Sequence, residues 1–245
     1  MAETVGYFSF VLHGHLPYVL GHGNWPHGVV WLHEASAETY IPVLNVLNEL
    51  IEEGFHPRLT IGLTPVLCEQ LRKPEFQFGF LHYLEEKIGA STHDQDQFKS
   101  ENRLHLAYLA KRWADYYTSV KESFQEQYQK DIIGGYKALQ DRDFIELITC
   151  GATHGDFPLL GKDSSVNAQI KTGVETYKKH FGRKPLGIWL PECAYRPAYR
   201  WKAPVGDYPE IERVGVEFLL KKNEIELVDF TYTLQVGRDA MNERL

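Results

Sequence analysis

In Leu186-Gly187-Ile188-Trp189-Leu190-Pro191-Glu192-Cys193 an apolar run long enough for one buried strand gives way, without a spacer, to a proline and a carboxylate. An uncharged run of that length fits a strand covered on both faces, the pattern of a parallel sheet in an α/β fold. Working outward, the same design recurs. Val5 to Leu12 is short and apolar and ends at His13-Gly14-His15. Phe144 to Cys150 ends at Gly151-Ala152-Thr153-His154-Gly155 and Asp156. Pro57 to Leu63 is followed by Thr64-Pro65, a hydroxyl cap and a first-turn proline that predict a helix start. Val214 to Leu220 and Glu226 to Thr233 are two further strand-like runs.

Helical patterns separate these strands. Leu32, Ala35, Thr39, Val43, Val46, Leu47 and Leu50 fall at three-and-four spacing, with Pro42 expected to bend the helix and Gly54 to close it. From about Pro74 to Gln140 the chain reads as mostly helical, with a break at Gly134-Gly135. A helix starting at Ser164 or Ser165 runs to His180 and stops at Gly182. Strands alternating with helices imply a parallel sheet with right-handed crossovers. No internal repeat, low-complexity tract or linker divides the chain. The expectation is one domain over 1–245, with a helical insertion over about 74–140.

Composition narrows the partners. The formal charge is -7, which argues against nucleic acid and anionic membrane, since both call for clustered Lys and Arg. Cys68, Cys150 and Cys193 are scattered and odd in number, so they describe neither a disulfide framework nor a zinc knuckle. Reduced thiols in a cytoplasmic protein are the simpler reading. The N-terminal apolar run is cut short at His13, so neither a signal peptide nor a membrane span is expected.

The polar clusters His13/His15, His154/Asp156 and Glu192 each come directly after a strand. In parallel α/β folds the carboxyl ends of the strands share one face, so the clusters are expected to converge. Singly, each stays open. His13 and His15 are turn histidines satisfied by backbone, donors to sugar hydroxyls, or metal ligands. Glu192 is either the partner of Arg196 in a structural ion pair or a glycosidase carboxylate. Enzymes of that kind that retain configuration hold two carboxyl groups ~5–5.5 Å apart.

Leu12-His13-Gly14-His15-Leu16-Pro17-Tyr18 resembles the first signature of glycoside hydrolase family 57, and Trp31-Leu32-His33-Glu34-Ala35 with Glu38-Thr39-Tyr40-Ile41-Pro42 the helix after it. Gly151 to Gly155 is similar to the second signature. Trp189-Leu190-Pro191-Glu192-Cys193-Ala194-Tyr195-Arg196-Pro197 is similar to the third, in the form found in the branching-enzyme and related amylase subgroup. Gly14 and Asp156 depart from the usual residues at their positions.

This resemblance implies a distorted (β/α)7 barrel with no cofactor and no metal. It implies Glu192 as catalytic nucleophile, with His13, His15 and His154 around the glucosyl unit and Trp25 and Trp189 as substrate-binding rings. The implied activity is retaining 1,4-α-glucan branching on glycogen- or starch-like polymers. α-Amylase and 4-α-glucanotransferase are alternatives within the family. A metal-dependent, polysaccharide-deacetylase-like hydrolase and a non-catalytic glucan-binding remnant are alternatives outside it. The family's general acid is an aspartate in a fourth signature, and neither Asp207 nor Asp229 lies in such a motif. The expectations are therefore an incomplete barrel, a chain inactive or nearly so by itself, and a second polypeptide as the candidate source of the missing part.

Overall fold

The computed structural model describes residues 10–229, so the outer parts of the predicted strands Val5–Leu12 and Glu226–Thr233 lie outside the described residues. The chain packs as two compact units. Among the described residues, one contains Tyr18–Pro57 and Glu69–Phe144 and is helical; the other combines 10–17, Arg58–Cys68 and 145–229 around a sheet.

In the helical unit the long pattern around Leu32–Leu50 forms α1 (Val29–Ala35) and α2 (Ile41–Glu52), joined by a π turn over Ser36–Tyr40. Pro42 has no N–H to give the Glu38 carbonyl, and the turn just ahead of it widens so that Ile41 donates to Ser36 instead. After α3 (Pro65–Leu71) come α4 (Pro74–Ser100) and α5 (Leu104–Glu122), packed on each other, and α6 (Ile132–Asp141). Phe76, Phe80 and Phe124 are fully buried, with ring centroids 5.4 Å apart for Phe76–Phe80 and 4.9 Å for Phe80–Phe124. The Gly134-Gly135 break is not observed. Both glycines sit in the first turns of α6 because the Asp131 carboxylate accepts from the Gly134 N–H at 2.8 Å, while Gly135 leaves room for Leu44 and Tyr128.

The other unit is built on β1 (Val11–Gly14), β2 (Leu59–Leu63), β3 (Ile145–Cys150) and β4 (Gly187–Trp189). A short antiparallel pair, β5 (Tyr199–Trp201) with β6 (Ile211–Arg213), precedes β7 (Leu227–Asp229). The main sheet is parallel throughout, in the order β1-β2-β3-β4-β7. Among the described residues it has five strands and does not close into a ring.

Helix α7 (Asp163–Phe181) covers β3 so closely that a Cβ on Gly173 would lie 2.2 Å from the Cys150 carbonyl oxygen. Gly182 ends α7 in the left-handed conformation, as its sequence position predicts. The predicted strand Val214–Leu220 is instead helix α8 (Val216–Lys222). Its apolar residues at Val216, Leu219 and Leu220 follow helical spacing and all are buried, with Phe157, Ile170, Val174, Ile188 and Leu190, in one core. No helix among the described residues is long and apolar enough to cross a membrane.

Candidate active site at the strand ends

Four consecutive strands of the sheet unit deliver polar side chains at their carboxyl ends. His13 lies within β1 beside Gly62 of β2 in the parallel register, and His15 follows at the strand end. A Cβ on Gly62 would stand 3.0 Å from His13 Nδ1, so the glycine is what lets that ring lie over the neighbouring strand. Spacing of two puts both imidazoles on one side, as expected, with ring centroids 6.5 Å apart. Thr64, directly after β2, is fully buried, and its hydroxyl is 3.2 Å from His15 Nδ1. The sequence assigned that hydroxyl only to helix capping.

His154 stands on the loop after β3 with φ of 58°. Gln169 braces that loop from α7: its Oε1 accepts from the Thr153 N–H and its amide donates to the Thr153 hydroxyl, both at 2.9 Å. The ring of His154 stacks on His15 at 3.9 Å between centroids and meets His13 through an Nε2···Nε2 hydrogen bond of 3.0 Å. Trp189 of β4 stacks on the other histidine, His13, at 4.8 Å and 15°.

After β4 the chain turns sharply. Glu192 and the next residue, Cys193, take φ of 53° and 55°, a left-handed pair that costs roughly 1–2 kcal/mol per residue for non-glycine side chains. Backbone bonds from Cys193 N–H to Leu190 and from Ala194 N–H to Pro191 hold the turn. Gly151 leaves room for Phe157 and Pro191, a Cβ there falling 2.8 and 3.2 Å from their rings, so the ends of β3 and β4 close on each other. The turn lifts the Glu192 carboxylate, 75% exposed, to 3.5 Å from Nδ1 of His154, whose side chain is 5% exposed.

The histidines are held neutral. Burial, reinforced by the facing His154 and His15, lowers His13 to about 3, and burial with His154 lowers His15 to about 4. Burial also lowers His154, against the opposing pull of the Glu192 carboxylate. A proton on His154 Nδ1 facing Glu192 makes its Nε2 an acceptor and His13 Nε2 the donor. His13 Nδ1, buried and without a partner, is then a bare lone pair, the less costly of its two states. With that tautomer the arrangement is a neutral imidazole pair that turns one N–H toward an accessible carboxylate.

The remaining polar and aromatic candidates are placed as follows. Arg196 does not serve Glu192; it is buried and pairs with Asp163 at 3.2 Å. The Asp156 carboxylate accepts from the Leu159 N–H in its own turn, at 3.3 Å. Cys150 is fully buried and its thiol is pushed up by that burial, which removes it as a nucleophile. Trp25 belongs to the helical unit, where its side chain is 78% exposed. Asp229 is opposite Trp189 in the β4–β7 register. No group of three or more His, Cys, Asp or Glu among the described residues is arranged to hold a metal ion.

Residues 9–233 match the sequence profile of glycosyl hydrolase family 57. The chain is 44% identical over 217 residues to a 1,4-alpha-glucan branching enzyme of Thermococcus kodakarensis, a match covering 89% of this chain and 31% of that one. The crystal structure of a branching enzyme of the same family from Pyrococcus horikoshii superposes with a TM-score of 0.85 at 44% identity, covering 91% of this chain and 41% of that one. The α-amylase AmyC of Thermotoga maritima superposes with a TM-score of 0.75 at 32% identity, covering 90% and 38%. This chain spans about a third of the length of the curated relatives it matches. With three signatures in order on one sheet edge and this profile over nearly its whole length, the chain belongs to glycosyl hydrolase family 57.

Proposed function

We propose that this chain carries the nucleophile side of a retaining α-glucan branching site, with Glu192 as the nucleophile. The observation that carries the reading is the left-handed turn that sets an accessible Glu192 carboxylate against the buried His154, itself bonded to His13. A Glu192 oxygen attacks the anomeric carbon of a glucosyl unit while the bond to the departing glycosidic oxygen breaks. The resulting glycosyl ester is resolved by the 6-hydroxyl of an acceptor glucan in branching, or by water in hydrolysis. His13, His15 and His154, neutral at pH 7, hold sugar hydroxyls and orient the carboxylate. Likeness to branching enzymes at 44% identity favours transfer over hydrolysis, and glycogen- or starch-like glucans are the corresponding substrates. Three cysteines without a disulfide agree with a cytoplasmic protein.

The leaving oxygen needs a proton, and the imidazoles beside Glu192 are poor sources at neutral pH because their acidic forms exist only near pH 3–4 for His13 and His15. A general acid other than these histidines supplies that proton. An activated donor with a fluoride leaving group dispenses with it, whereas a glucan does not, and the acid is worth ~10²–10⁴-fold. The expected result is that the protein releases fluoride from α-maltosyl fluoride. Glu192→Gln should stop the fluoride release. Fluoride release undiminished in Glu192→Gln would show that the nucleophile has been misassigned.

A further inference from the structure

The segment that leaves Glu192 has little regular structure of its own. Between the left-handed pair and β6 it holds only the three residues of β5, and much of it is exposed. What fixes it sits on α7, in the first turn. Asp163 Oδ1 accepts from Arg196 Nη2 at 3.2 Å and from Arg213 Nε at 2.6 Å, and its Oδ2 accepts from the Val214 N–H at 3.0 Å. Arg196 lies four residues beyond Glu192, while Arg213 and Val214 close the excursion. One carboxylate thus ties both ends of the segment to the helix that covers β3.

The two guanidinium groups are 4% and 1% exposed, and each packs against a ring of the same segment, Arg196 on Tyr199 and Arg213 on Trp201. Arg213 Nη2 also donates to the Leu160 carbonyl, and the Arg196 carbonyl accepts from the Val216 N–H. Arg196 Nε and Arg213 Nη1 are buried without a partner, and among the described residues both cations pair with the one carboxylate of Asp163. A buried charge that loses its partner is strongly unfavourable, which leaves Arg196 one low-energy place to be. The position of Arg196 in turn limits where a left-handed turn four residues upstream can point its carboxylate.

We propose that Asp163 is a positioning residue for Glu192, acting through Arg196 to hold the turn that aims the nucleophile beside His154. This rests on the reading of Glu192 as the nucleophile. The role differs from plain stability, because it governs how fast a folded molecule reacts and not how many molecules are folded.

The test is covalent labelling of the 245-residue protein with 5-fluoro-α-maltosyl fluoride, followed by intact mass. A Glu192 oxygen bonds to the anomeric carbon as the carbon–fluorine bond breaks and fluoride leaves with the electron pair, so no proton donor is involved. Asp163→Asn should label to the same endpoint as the unsubstituted chain with a rate constant lower by ~10–100-fold at saturating reagent, the scale of misplaced reacting groups. Arg196→Met, which leaves the Asp163–Arg213 pair intact, should slow labelling similarly, and the double substitution should be no slower than the slower single one. Glu175→Gln, an exposed site on the same helix, should label normally. A lowered endpoint with an unchanged rate constant in Asp163→Asn, or labelling of Arg196→Met at the unsubstituted rate, would overturn the proposal. Labelling of Glu192→Gln at the unsubstituted rate is the different failure, in which the nucleophile itself is wrong and positioning falls with it.

Discussion

Both units of this protein bury histidine, and they do so to opposite ends. In the helical unit His33 is 5% exposed among Phe76, Phe80 and Tyr83, with ring centroids at 5.9, 5.9 and 5.4 Å, and its Nε2 has no partner. Burial lowers it to about 4. In the sheet unit His13 and His15 are lowered as far, yet each is engaged by another polar side chain and His154 faces an exposed carboxylate. A depressed pKa is therefore common to a core residue and to a site. What separates them is partners and access, which is why a perturbed titration is only a pointer to function.

The largest effect that tests this contrast is the loss of the carboxylate. Glu192→Gln is expected to lower fluoride release from α-maltosyl fluoride by at least ~10³-fold with an unchanged melting temperature, as for a nucleophile that is not replaced. Next, His154→Ala is expected to cost ~10²-fold, the scale of a lost orienting or proton-holding group. His33→Leu should leave that rate alone. Equal rate losses in His154→Ala and His33→Leu would erase the distinction between the two units.

The pH dependence of stability comes next. A histidine lowered on folding takes its proton in the unfolded chain first, near pH 6.5, and in the folded protein only near pH 4 or 3. The folded state is thus fully favoured above about pH 6.5 and loses ground as pH falls from there towards 4. Melting temperatures between pH 7 and 4 should decline, and His33→Leu should flatten part of the decline. An unchanged slope in that variant would mean His33 is not buried neutral.

The smallest effects come from two glycines that each face a histidine ring. A Cβ on Gly62 would meet His13 Nδ1 at 3.0 Å, and one on Gly79 would meet the His33 ring at 3.2 Å. Gly62→Ala should shift His13 and slow fluoride release by about tenfold, an outcome of misplacement. Gly79→Ala should change stability by no more than ~1 kcal/mol, since helix propensity and the tighter contact oppose each other, and should not change the rate.

The strand ends were legible because a buried parallel strand is an uninterrupted apolar run, and the run stops where the polar cluster begins. That placed His13, His15, His154 and Glu192 together before any geometry was known. The helix at Val216–Lys222 was not legible, since seven residues with four apolar ones fit either period and the length alone suggested a strand. Thr64, Gln169 and Asp163 were missed for a different reason. Each works through a partner distant in sequence: Asp163 is 33 and 50 positions from its two arginines, and Thr64 is 49 from His15. No local spacing reports such pairs. The alternative that pairs Glu192 with Arg196 fails on the same ground, because proximity in sequence is its only guide and a left-handed turn separates the two.

The central claim is that Glu192 becomes covalently bound to the sugar. Labelling the protein with 5-fluoro-α-maltosyl fluoride, digesting it at low pH and sequencing the modified peptide by mass spectrometry tests this directly. The expected result is one 5-fluoromaltosyl adduct, on Glu192 within Trp189–Pro197 and absent in Glu192→Gln. An adduct on another carboxylate, or a protein left unmodified at saturating reagent while it releases fluoride, would contradict the account.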